Sequence, residues 1–222
     1  MLTYEIIKNR LKKAGVRYHA NDNISEHLIE GEIERLEKEV ISVIRHLLNV
    51  MLIDHDHDHN TNKTAERIAK MFIREIFAGR YTEMPTITDF PNAASIDQIY
   101  TIGPISINST CSHHFVPING TAWLGMIPSD RVIGLSKFKR LADWVMSRPQ
   151  IQEEATVQLA DLIQEQIKPR GLGLIIEAKH FCMISRGVKD TNAKMTTSIM
   201  RGIFFDNPTA RHEFLSLIGR QI

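Results

Sequence analysis

The sequence predicts an α+β protein with an antiparallel sheet, and three observations carry that reading. Apolar residues recur at helical spacing up to about residue 80. From Ile96 onward, runs rich in β-branched residues take over, punctuated by turn signals. Two further helical stretches then separate an early pair of strands from a late pair, which is the order of an α+β sheet rather than of βαβ units. The 222 residues divide accordingly into an N-terminal helical segment over 1–80 and a second domain over 81–222.

In the first segment, Tyr4, Ile7, Leu11 and Ala14 mark a helix that Gly15 stops. Asn23 with Glu26 reads as a capping box opening a longer helix. Its stripe (Ile29, Ile33, Leu36, Val40, Val43, Leu47, Met51) is of the kind that packs against another helix or a neighbouring subunit. The alternating Asp/His tract from Asp54 to His59 reads as a solvated loop and receives no function. Thr64 is expected to cap a third helix with Gly79 just past its end, Ile68, Phe72 and Ile76 inward and Arg67 free to face elsewhere.

In the second segment, Ile96 to Ser109 predicts a strand, and Asn119-Gly120 predicts a hairpin turn between Phe115-Val116 and Thr121 to Ile127. Ser136 is expected to cap a helix carrying Phe138, Leu141 and Val145. A second helix follows from Ile151 to Ile167. Leu172 to Ile184 then reads as one strand with Leu174, Ile176, Ala178, His180 and Cys182 on one face. Met195 to Phe205 predicts the last strand, and Pro208 opens the closing helix.

Composition narrows the function classes. A net charge of +1 gives no basic field for nucleic acid. No apolar run approaches the ~20 residues of a membrane span, and the start carries no secretory or transit signature, so a reducing, cytoplasmic setting is expected.

The chemistry gathers at two short segments holding the only two cysteines, Cys111-Ser112-His113-His114 and His180-Phe181-Cys182. Thiolate and imidazole at these spacings are the donors zinc prefers. Either pair alone is weak: buried cysteine is common as a small apolar residue, and His113 taken singly reads as a core histidine. A disulfide is the poorer alternative in a reducing setting. Both cysteines standing beside histidines favours metal. If Cys111, His114 and Cys182 bind, three ligands leave a position for water, and His113 and His180 remain as acids or bases.

The segments Ser109 to Phe115, Gly134-Leu135-Ser136-Lys137, Arg148 to Glu153, His180-Phe181-Cys182-Met183, Arg186-Gly187, Thr197-Ser198 and Arg211 to Leu215 together resemble the GTP cyclohydrolase I family, in order and spacing, over roughly residues 25 to 218. The resemblance implies a tunnelling fold (T-fold). It also implies a homodecamer of two pentamers with active sites between subunits. The implied reaction turns GTP and water into 7,8-dihydroneopterin triphosphate and formate, in pterin and folate synthesis. By motif, Cys111, His114 and Cys182 would hold zinc, and His180 would protonate purine N7. His113 and Ser136 would assist at the sugar stage. Arg67, Lys137, Arg140 and Arg186 correspond to triphosphate contacts, Glu153 to the carboxylate reading guanine, and Gln152 to a support of the base. The chain departs from the family at Ala65, where proline is frequent, and at Ser112, where glutamate is. No nucleic acid or membrane partner is expected. The rivals are a nitrile reductase of the same fold, which needs a nucleophilic cysteine and a nicotinamide, and a zinc-stabilised interaction module.

Overall fold

The computed structural model describes residues 2–220 and divides into two compact units, Met1–Glu83 and Met84–Ile222. Among the described residues, no helix is long and apolar enough to cross a membrane.

The first unit is helical. Helix α1 (Thr3–Lys13) ends at Ala14, with Gly15 following at a φ of 65°. Asn23 does not open the long helix. Its side chain accepts from the Ser25 N–H just ahead of a single 3-10 turn (Ser25–His27), and its amide donates to the carbonyls of Gly79 and Thr82. Helix α2 (Glu32–Val50) starts after Gly31, which takes a left-handed φ of 76°. Its first residue, Glu32, is buried and accepts both guanidinium nitrogens of Arg10 at 2.7 and 2.8 Å. That pair ties α1 to α2, and the guanidinium holds the Glu32 carboxyl below its usual range.

The α2 stripe is shorter than expected and largely open in the chain: Ile29, Val43, Leu47 and Met51 are exposed, and Leu48 is the apolar residue of the helix that is buried. Helix α3 (Thr64–Lys70) is preceded by Lys63 rather than capped by Thr64. It runs into a π-helical turn (Met71–Ile76) and then α4 (Ala78–Tyr81), so Gly79 lies within a helix instead of ending one. The inward side is Ala65, Ala69, Ile73 and Phe77, not Ile68, Phe72 and Ile76. Small alanines let α3 approach α2 closely, and that outweighs the bulkier stripe.

The second unit is built on a five-stranded sheet in the order β5-β2-β3-β6-β7, with β2 Tyr100–Cys111, β3 Pro117–Ile127, β5 Pro149–Gln150, β6 Gly171–His180 and β7 Met195–Gly202. All pairs are antiparallel except β2 with the two-residue β5. A small ribbon pairs β1 (Asp89–Pro91) with β4 (Arg131–Ile133). Helices α5 (Leu135–Met146) and α6 (Gln152–Ile167) pack Phe138, Leu141, Val145, Leu159 and Ile163 against Leu124, Leu172 and Leu174, forming the main core. The other face is covered by α8 (Ile203–Asp206) and α9 (Pro208–Leu217) through Phe204 and Phe214. Asn207 caps α9, its side chain accepting from the N–H groups of Thr209 and Ala210.

Asn119-Gly120 is not the hairpin turn. Both residues lie inside β3, where Gly120 pairs Ile107 on one side and Ala178 on the other. A Cβ there would stand 2.1 Å from the Glu177 carbonyl oxygen, so glycine serves close strand approach. Gly120→Ala is therefore expected to destabilise the protein by about 2–3 kcal/mol and lower its melting temperature by about 5–10 °C, read by calorimetry.

Candidate metal centre and active site

The true β2–β3 turn is the Cys-Ser-His-His segment itself. Cys111, the last residue of β2, donates its N–H to the Val116 carbonyl at 2.9 Å and accepts from the Phe115 N–H at 2.9 Å, with Phe115 left-handed at a φ of 53°. The Ser112 N–H reaches the Gln150 carbonyl, anchoring the turn to β5. His113 and His114 are carried outward and exposed, and Cys111 stays buried against Ile118 and Ala178.

The second segment differs from the single strand expected. Strand β6 ends at His180, opposite Ile118, and the chain then turns into α7 (Phe181–Ile184). Cys182 therefore does not share a strand face with His180. The helical turn swings it back toward Cys111. The ligand atoms of Cys111, His114 and Cys182 all lie within 4.8 Å of one another.

The donor set fits a divalent ion. Burial and the neighbouring Cys111 thiol push the Cys182 thiol above its usual value, the penalty that a cation between two sulfurs removes. No disulfide joins them. His113 Nδ1 stands 3.8 Å from the Cys111 sulfur, and Arg186 donates to His114 Nε2 at 2.7 Å. His180 is half-buried. Desolvation pushes its imidazole below the usual histidine value, and the Glu153 carboxylate opposes that shift.

Glu153 is exposed in the first turn of α6, whereas its neighbour Gln152 is buried. The Gln152 amide is committed within the protein, to His180, Thr197 and two backbone carbonyls. Sequence spacing gave no sign of this, because these partners lie 24 to 45 residues away.

Not every expected residue gathers here. Ser136 is not a helix cap: Gly134 is, and its carbonyl accepts from the Lys137 N–H. Ser136 and Lys137 open α5, whose opposite end lies beside the metal-side strands, since Ser109 donates to the Met146 carbonyl and β5 follows directly. At 1.5 Å rise per residue, Ser136 is about 15 Å along the helix from that end. It lines a separate cleft of about 700 Å³ with Gly103, Ile105 and Lys139, at the other half of β2. Arg140 is exposed midway along α5. Arg67 belongs to the first unit, exposed on α3.

A Cys-His-Cys cluster at one end of an antiparallel sheet, with two further imidazoles beside it, defines the class: an α+β enzyme with a candidate metal centre. The family model for GTP cyclohydrolase I matches residues 40–219. Relatives named GTP cyclohydrolase 1 agree with that match. The protein of Aliivibrio salmonicida is 38% identical over 188 residues, 84% of each chain. That of Vibrio cholerae is 35% identical over 212 residues, 95% of this chain and 94% of that one. That of Escherichia coli is 39% identical over 176 residues, 79% and 78% of the two chains. The chain belongs to the GTP cyclohydrolase I family and is a hydrolase.

Proposed function

We propose that the protein converts GTP and water to 7,8-dihydroneopterin triphosphate and formate in the cytoplasm, at a zinc centre held by Cys111, His114 and Cys182, as a step of pterin and folate synthesis. The convergence of two sulfurs and an imidazole beside His180 carries this reading. A zinc ion with three protein ligands supplies Lewis acidity and brings the pKa of a water to about 7.

The chain's own residues do the rest. His180 gives a proton to purine N7, which makes C8 electrophilic enough to be hydrated and the ring to open. Glu153 accepts from guanine N1–H and the exocyclic amine; adenine lacks that donor pair. Arg67, Lys137, Arg140 and Arg186 hold the triphosphate, with Lys137 helped by the N–H groups of the first turn of α5. His113 and Ser136 move protons while the sugar opens and re-closes. Gln152 acts through His180 rather than touching the base.

Lys137 and Ser136 stand at the end of α5 remote from the cluster. We therefore assign the second half to a neighbouring copy, in a T-fold decamer of two pentamers. Two features support that assignment. Both long edges of the sheet, β7 and the Tyr100–Ser109 part of β2, are unpaired among the described residues and open to another copy's strands. The exposed Val43, Leu47 and Val50 on α2, with Met51 at its C-terminal cap, offer further apolar surface.

Incubation with GTP is expected to release formate and a pterin that fluoresces after oxidation. A chelator should stop the reaction, and zinc should restore it. Metal-replete protein that leaves GTP unchanged would contradict the proposal.

A further inference from the structure

We infer that Gln152, Thr197 and Thr156 are positioning residues for His180, fixing its proton on Nε2 and leaving Nδ1 as the nitrogen that exchanges a proton with substrate. The inference rests on the acid role of His180 proposed above.

The direction of each hydrogen bond follows from its neighbour. The Thr156 hydroxyl donates to the Gln152 backbone carbonyl at 2.7 Å, which uses its single proton. Thr197 Oγ1 lies 2.8 Å from Thr156 Oγ1, so Thr197 must be the donor of that pair. Its lone pairs are then free to accept from Gln152 Nε2 at 3.0 Å. The same Nε2 faces the carbonyls of Ile176 at 3.0 Å and Met195 at 3.2 Å. Reversing the amide would set its oxygen against two carbonyl oxygens, so the orientation is fixed. Gln152 Oε1 therefore points at His180 Nε2, 2.8 Å away, and an amide oxygen only accepts. Nε2 must carry the proton.

Burial makes this arrangement stiff. Gln152 is 3% exposed and Thr156 1%, so a misdirected polar atom there would be left unpaired with no water to relieve it. Pairing of Ile176 with Thr197 and of Ala178 with Met195 sets the carbonyls, and α6 brings Gln152 and Thr156 onto them. When His180 acts as the acid, the proton leaves Nδ1 for the purine nitrogen. What remains is neutral imidazole protonated on Nε2, the tautomer that the chain already favours.

The network also joins α6 to the sheet, so the test must read more than stability. In zinc-loaded protein with ¹⁵N-labelled histidine, the His180 signals, assigned by their loss in His180→Ala, are expected to show a protonated Nε2 and an unprotonated Nδ1. Gln152→Met should mix the tautomers and lower kcat about 10- to 100-fold, with KM for GTP within about threefold and metal content unchanged. Thr197→Val should move in the same direction, and Thr197→Ser, which keeps the hydroxyl, should recover the parent behaviour. Unchanged His180 signals and parent turnover in Gln152→Met would overturn the inference. If Gln152→Met does not fold, equal signals and turnover in Thr197→Val and Thr197→Ser would overturn it. Parent turnover in His180→Ala would instead remove the acid role itself, and the inference with it.

Discussion

Cys182→Ala is expected to release the metal ion and lower formate production by roughly 10³-fold or more, a loss of about 4 kcal/mol of transition-state stabilisation. The expectation follows from the ligand count. Cys111, His114 and Cys182 form the one cluster of three His, Cys or acidic residues among the described residues whose ligand atoms lie close enough to share an ion. Two remaining donors make a poor site for zinc, and the adjacent thiol loses the charge that stabilises its ionised form. The fold should survive, because Cys182 sits on the four-residue α7 and is only half-buried. The check is metal content together with formate release and a melting curve. Full zinc content with parent turnover would remove this cysteine from the centre.

The second large effect tests the proposed division of the site between copies. Cys182→Ala and the double variant Ser136→Ala/Lys137→Ala are each expected to be nearly inactive. Oligomers assembled from an equal mixture should regain activity, because some sites pair an intact metal half with an intact α5 half. For random assembly in a closed homo-oligomer that fraction is about a quarter. The physical basis is the length of α5, which holds Ser136 beside Gly103 and Ile105 of β2, away from Cys111 at the strand's end. A mixture no more active than its two components would mean that one chain supplies both halves.

The Cys-His-Cys grouping was legible because part of its spacing is local. Cys111 and His114 are close in sequence, and a tight turn brings them together however the rest folds. The partner segment was legible as chemistry but not as geometry. Reading His180 and Cys182 as neighbours on a strand face missed the helical turn at Phe181, which begins where the pairing of β6 with β3 stops at His180 opposite Ile118. Asn119-Gly120 misled for a related reason: a glycine required by a crossing backbone looks in sequence like a glycine required by a turn. The actual turn has Phe115 at positive φ, which no turn rule anticipates.

The helical phase between residues 64 and 81 was lost to a π-helical turn and to alanines that bury without looking hydrophobic. Gln152 was legible only by resemblance. Its partners His180 and Thr197 come from β6 and β7, and only the folded sheet brings them to one amide. The residues expected to bind triphosphate were readable as cations, but nothing in their spacing says which of them share a site, and Arg67 and Arg140 are exposed on separate helices.

The measurement closest to the central claim is zinc K-edge X-ray absorption on purified, metal-loaded protein. One zinc per chain is expected, bound by two sulfurs, one imidazole nitrogen and one light atom from solvent. A shell completed by a fourth protein nitrogen or sulfur, or one with fewer than two sulfurs, would contradict it.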